Sequence, residues 1–144
     1  MSANRELDTR WKVGGLPLHL SEQDVVRQKG APSQYQDTFR MVYDGDHSLI
    51  TVTLDEERLV HSLWGFSLEG PAIRVFHGDS IDKVQRGLGP PDILKESNLT
   101  YYKNGLQIDV GYNPLDGTIS TICLRALDKK ERALLYAQRG YADW

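Results

Sequence analysis

The stretch Ser21-Glu22-Gln23-Asp24-Val25-Val26-Arg27-Gln28-Lys29-Gly30-Ala31-Pro32 returns in altered form as Ser80-Ile81-Asp82-Lys83-Val84-Gln85-Arg86-Gly87-Leu88-Gly89-Pro90-Pro91. Each begins with a small polar residue able to cap free amides of a first helical turn, Ser21 in the first and Asp79 or Ser80 in the second, with an acid close by. Each ends in a glycine that can turn left-handed and a proline that cannot continue a helix. The spacing predicts a helix from about Glu22 to Lys29, and a second with Ile81, Val84 and Leu88 as its apolar stripe. Helices of two turns are not stable alone in water, so both must lie against something.

That something is expected to be a sheet. Thr38 to Tyr43, Leu49 to Leu54 and Arg58 to Trp64 are rich in β-branched and aromatic residues, as are Leu99 to Lys103, Leu106 to Tyr112 and Thr118 to Arg125. Asp44-Gly45-Asp46, Asp55-Glu56-Glu57, Asn104-Gly105 and Asp116-Gly117 are the turns between them. Consecutive hairpins imply antiparallel pairing, hence an α+β fold.

A constant shift of 59 relates the two stretches and much of what surrounds them. It matches Ser21 with Ser80, Val25 with Val84, Arg27 with Arg86, Gly30 with Gly89, Pro32 with Pro91 and Tyr43 with Tyr102. Similar pairs are Leu16 with Val75, Asp37 with Glu96, Val60 with Ile119, Ser62 with Thr121 and Leu63 with Ile122, with a small slip near Gly45. The expected architecture is two tandem helix-plus-antiparallel-sheet repeats packed into one unit, because a single module of this size buries too little apolar surface. Its divisions are an N-terminal segment 1–15, repeat 1 over 16–66, a linker 67–74, repeat 2 over 75–125, and a C-terminal helix and tail over 126–144. Trp64 and Phe66 are placed to fill the seam between copies. Asp128 to Arg139 reads as the extra helix, with Gly140 beyond it and Tyr141 to Trp144 as tail.

The order of capped helix, Gly-Pro break and antiparallel strands, carried by Ser21 to Pro32 and Asp79 to Pro91, resembles the β-lactamase-inhibitor-protein-like (BLIP-like) fold. That fold is also seen as a single copy in outer-membrane assembly lipoproteins of the SmpA/OmlA type. The resemblance covers most of Leu16 to Leu124 and implies the fold and a protein-binding habit. The first copy has His19-Leu20 where the second has Gly78-Asp79, and the sequence contains no lipid-attachment cysteine.

Composition and motifs narrow the chemistry. The 144 residues carry 17 basic and 20 acidic side chains, a net charge of -3, and no basic cluster of the kind that neutralises phosphates, so no nucleic-acid partner is expected. No membrane partner is expected either, and one cysteine with no hydrophobic run in Met1 to Lys12 points to a cytoplasmic protein. His77 and Asp79, with His61 or Cys123, fall short of a metal-ligand spacing. Cys123 lies in an expected strand as a small buried core residue, with no local signature of a nucleophile. Gly87-Leu88-Gly89 follows a helix, whereas phosphate-binding loops precede one. Asp55, Glu56 and Glu57 read as a solvated turn.

No catalytic residue, metal or cofactor is therefore expected. The functional expectation is a non-enzymatic protein-binding module, of adaptor, inhibitor, immunity or secretion-accessory type, with Tyr43, Trp64, Tyr101, Tyr102 and Tyr112 as its binding residues. Its partner is another protein, a second copy in a homodimer being one form of this. The alternative is a small-molecule-binding or enzymatic domain with a pocket at the seam.

Overall fold

The structure, a computed structural model, describes residues 10–45, 48–103 and 105–139. The expected turn residues Asp46 and Asn104, Gly140, the tail Tyr141 to Trp144 and positions 1–9 of the N-terminal segment lie outside them.

Both expected helices form where their caps place them. α1 (Glu22–Lys29) starts at Ser21, whose hydroxyl accepts from the Asp24 amide at 3.1 Å. α2 (Ile81–Leu88) starts at Ser80, which accepts from the Asp82 amide at 3.1 Å. Gly30 and Gly89 end them at φ 82°, each donating its own amide back into the helix. Val25 and Val84 are the residues by which the helices enter the core. α3 (Lys129–Arg139) follows Asp128, as the sequence suggested.

Eleven strands accompany the three helices among the described residues: β1 (Lys12–Val13), β2 (Gln34–Asp37), β3 (Arg40–Gly45), β4 (Ser48–Leu54), β5 (Val60–Gly65), β6 (Ser67–Gly70), β7 (Ile73–Phe76), β8 (Ile93–Lys95), β9 (Asn98–Lys103), β10 (Leu106–Tyr112) and β11 (Ile119–Ala126). Eight form one sheet in the order β2-β3-β4-β5-β11-β10-β9-β8, and β1-β6-β7 form a second. All pairings are antiparallel, so the α+β class stands. The six expected strands are present with ends moved by at most two residues. The stretch 67–74, expected as a linker, instead carries the β6–β7 hairpin, which pairs with β1.

β5 and β11 join at the middle of the large sheet, with Leu63 opposite Leu124 and Trp64 opposite Cys123. Alternation along each strand then sorts side chains between two faces. Met41, Tyr43, Ile50, Val52, Leu63, Leu99, Tyr101, Ile108, Val110, Ile122 and Leu124 point inward. They meet Trp11, Val13, Leu16, Leu68 and Val75 from the small sheet and its approaches, with Val25 and Val84 from the helices. Gly70 lets this layer close up: a Cβ there would lie 2.4 Å from the Trp11 ring.

The two halves of the large sheet share particular hydrogen bonds. His19 donates to Val60 O at 2.8 Å and Gly78 to Ile119 O at 2.9 Å, while Glu22 donates to Arg58 O at 3.0 Å and Ile81 to Gly117 O at 2.9 Å. His19 and Arg58 take positive φ (65° and 63°) where the later half has Gly78 and Gly117 (93° and 71°). Tyr43 answers to Tyr101 rather than to Tyr102: their hydroxyls each donate to a helix-ending glycine, Gly30 O and Gly89 O, at 2.8 Å. The slip in register accordingly lies earlier than Gly45. Tyr35 pairs Met41 and Asp37 pairs Arg40 across a bulge, whereas Leu94 pairs Leu99 and Lys95 pairs Asn98 without one, so Gln36 is the additional residue.

Candidate functional site

α1 and α2 lie on the inner side of the large sheet, and the outer side carries strand residues, with the first turn of α3 bonded to it through Arg125. A single cross-strand row spans it: Gln34, Val42, Thr51, Trp64, Cys123, Asp109, Thr100 and Ile93 are successive Cα partners. A second row runs Arg40, Thr53, Ser62, Arg125, Gln107 and Tyr102. Trp64, Cys123, Asp109, Gln107, Arg125 and Tyr102 are all half-buried.

In the second half these side chains form a continuous polar network. Asp109 Oδ1 accepts from Thr100 Oγ1 at 2.6 Å and from Asn98 Nδ2 at 3.3 Å, and its Oδ2 accepts from Gln107 Nε2 at 2.8 Å. Gln107 Oε1 accepts from Arg125 at 2.6 Å, and the same guanidinium donates to both Glu131 oxygens at 2.9 and 2.8 Å. Glu131 belongs to the first turn of α3, so the network ties that helix to the sheet. Its carboxyl is held down at about 2, first by Arg125 and against the opposing effect of burial. Arg125 is raised in turn by the same hydrogen bond.

Cys123 corrects an expectation. It faces this outer side, half-buried, while Ile122 and Leu124 beside it fill the core. Burial first, and the Asp109 charge second, push its thiol up to about 11, which leaves it protonated and poorly nucleophilic at neutral pH.

The five aromatic binding residues expected from the sequence are divided by the fold. Tyr43 and Tyr101, 9% and 0% exposed, are core residues that brace the helix ends and cannot reach a partner, which corrects their reading as binding residues. Burial lifts the Tyr101 phenol to about 12. Tyr112 packs partly against the core, its hydroxyl on Lys95 O at 3.1 Å. Trp64 and Tyr102 remain on the outer face, with two strands between them. Trp64 spans the seam there instead of filling its interior, in edge contact with Phe66 at 5.3 Å, and Phe66 meets His77 at 5.4 Å.

Other candidates have structural uses. His77 Nδ1 pairs with Ser120 O at 2.9 Å, and Asp79 accepts from the Phe76 amide at 2.9 Å and from Lys83 at 3.3 Å. No group of three or more His, Cys, Asp or Glu residues is placed to hold a metal among the described residues. Gly87 allows α2 to approach β7, since a Cβ would lie 2.9 Å from Ile73. Asp55 accepts from the Glu57 and Leu59 amides, as a turn residue does. Sequence reading passed over Asp109, Thr100, Gln107 and Arg125. Their signal was the alternation in Leu106-Gln107-Ile108-Asp109-Val110, which marks one face of a strand as polar.

No helix among the described residues is long and apolar enough to cross a membrane. No family model matches the sequence, and no curated protein does. Solved bacterial structures share the fold. An extracellular protein containing an SCP domain from Bacillus anthracis superposes with a TM-score of 0.60 at 12% identity, over 95% of this chain and 51% of that one. A cysteine-rich secretory protein from Staphylococcus aureus gives 0.57 at 9% identity, over 74% of this chain and 44% of that one. A DUF4309 family protein from Bacillus subtilis gives 0.54 at 15% identity, over 74% and 78%. The chain thus spans about half the length of two of these proteins, and at these identities the likeness is one of fold.

Proposed function

We propose that the chain is a non-enzymatic protein-binding module made of two tandem copies, 16–66 and 75–125, which presents the outer face of its eight-stranded sheet to a partner protein. The observation that carries this is the half-buried band of Trp64, Cys123, Asp109, Gln107, Arg125 and Tyr102, which runs across the seam on the side away from α1 and α2. Mixed aromatic and polar side chains on a rigid sheet are the composition of a recognition surface. The matched caps, paired tyrosines and positive-φ positions support duplication. The BLIP-like resemblance rests on the same segments, and in the large sheet four strands follow each of α1 and α2.

The alternative, a ligand pocket at the seam, finds no support in the seam interior, where Leu63 and Leu124, each 0% exposed, meet directly. The proposed location is cytoplasmic. The words extracellular and secretory belong to two of the similar proteins, and fractionation of the native cell distinguishes the compartments.

A photo-crosslinking residue tests the face. Placed at Thr51 or Thr121 it should give one discrete adduct in native cells, and placed at Arg27 or Lys83 on the helix side it should give none. Equal labelling from both sides, or none from the sheet, sinks the proposal. An adduct of twice the chain mass identifies a homodimer.

A further inference from the structure

Asp109 is the one carboxylate of the outer-face row, and the position that matches it in the first half is Thr51. Its surroundings solvate it incompletely. A carboxylate offers about four lone-pair directions. Thr100 and Asn98 occupy those of Oδ1, and Gln107 takes one at Oδ2, which leaves Oδ2 one acceptor site free. All three donors are neutral. Arg125, the nearest cation in the network, is committed to Glu131 and Gln107. Among the described residues Asp109 has no direct ion-pair partner.

Any protein that covers this face removes water from Asp109. A covering surface with no donor there would leave the free Oδ2 site unfilled and a desolvated charge only partly compensated by the more distant Arg125, and a cation is the group that answers both the free acceptor and the charge, so the place favours a cationic partner group. The neighbouring residues shape the place for it. Cys123, a small side chain, stands between Asp109 and Trp64, which lie two strand spacings apart, about 10 Å. A cation above Cys123 can hydrogen-bond to Oδ2 while its stem or charge lies against an indole, the best aromatic partner for a cation. We infer that the outer face contains a subsite for a cationic side chain of the partner protein, lysine or arginine, seated over Cys123 between the Asp109 carboxylate and the Trp64 indole. The inference rests on the proposal that this face binds protein, and adds the charge that the place favours in the partner.

The test is an NMR titration of the full chain with Nα-acetyl-arginine methylamide, the lysine analogue, and the norleucine analogue as the neutral probe. The cationic probes should shift the Trp64 indole N–H and the Cys123 and Asp109 amides saturably, and norleucine should not. The stronger of the two names the side chain. Asp109→Asn should weaken binding roughly threefold, as expected of a partly exposed charge pair. Cys123→Leu, which fills the gap, should abolish the shifts, while Cys123→Ser, which leaves it open, should retain them. Equal response to norleucine, shifts centred elsewhere, or an Asp109→Asn variant that titrates like the parent overturns the subsite. The two proposals fail separately. A partner crosslinked from Thr51 whose affinity ignores Asp109→Asn removes the subsite and leaves the docking face. Probes that bind at Asp109 when no protein is crosslinked leave the subsite and remove the partner.

Discussion

Tyr43 and Tyr101 occupy matching places on the inner face of the sheet and make the same 2.8 Å bond to the glycine that ends a helix. One residue away, on the outer face, the halves part: Val42 and Thr51 in the first stand where Thr100 and Asp109 stand in the second, and Trp64 where Cys123 stands. The inner positions are constrained by close packing, where a lost methylene or an unpaired hydroxyl is felt at once. The outer positions are free of that constraint, and there the two halves carry different chemistry. The likeness describes how the chain folds, and the difference points to what it does.

The comparison breaks most sharply at the seam. If the halves are one cooperative unit, Leu63→Ala and Leu124→Ala should each cost about 3 kcal/mol, as for other buried leucines. Far-UV circular dichroism and tryptophan fluorescence should then follow one urea transition, displaced equally in both variants. Two separated transitions would show that the halves fold independently. Replacing the paired tyrosines comes next. Tyr101→Phe should cost roughly 1 to 2 kcal/mol and Tyr43→Phe about 1 kcal/mol, because each leaves a glycine carbonyl without its partner and Tyr101 is the more deeply buried. A null effect at either would mean that its hydroxyl does not brace the helix end.

Much of this arrangement could be read from residues. Ser21 with Gly30 and Ser80 with Gly89 located both helices, and alternation located six strands, because caps and periodicity are local physics. β1, β2, β6, β7 and β8 were missed. These strands have two to four residues, too few for a pattern to emerge, and pairing rather than propensity makes them strands. The site was half legible. Trp64 and Tyr102 were singled out with Tyr43, Tyr101 and Tyr112, but which aromatic faces outward depends on register, and the Gln36 bulge shifts that by one residue.

A smaller contrast lies in the turns, where Arg58 stands at φ 63° and Gly117 at 71°. A side chain in this region costs about 1 kcal/mol or more. Gly117→Ala should therefore destabilise by about 1 kcal/mol, since the added Cβ meets nothing nearer than 3.9 Å and only the backbone term acts. Arg58→Gly removes strain but also removes two 3.0 Å bonds to Glu22 and one to Thr38 O. A solvent-exposed pair of this kind contributes little, so the two effects should nearly cancel in a thermal melt. A clear fall in melting temperature would give the Glu22 clasp a larger part than exposure suggests.

The smallest effect on overall stability is expected from α3, which follows β11 and has no counterpart after β5, where the β6–β7 hairpin begins instead. Its first turn is fixed by a reciprocal cap, in which Glu131 donates its amide to Asp128 at 2.7 Å and accepts the Asp128 amide at 3.1 Å, together with Arg125. Leu134 and Tyr136 further along are 60% and 52% exposed, so little packing holds the rest. The Glu131 carboxyl lies at about 2, below its ordinary 4.5, so its contribution is complete above 4.5 and is lost as pH falls from there through 2. Because the group is partly exposed, the global change should be only a few tenths of a kcal/mol. The local change should be larger: amides of Arg132 to Gln138 should lose hydrogen-exchange protection across that window, and Glu131→Gln should show the same loss at neutral pH while the sheet amides keep theirs. Protection that persists in Glu131→Gln would mean that the Asp128 cap and the bond from Arg132 Nε to Leu127 O hold α3 without the carboxylate.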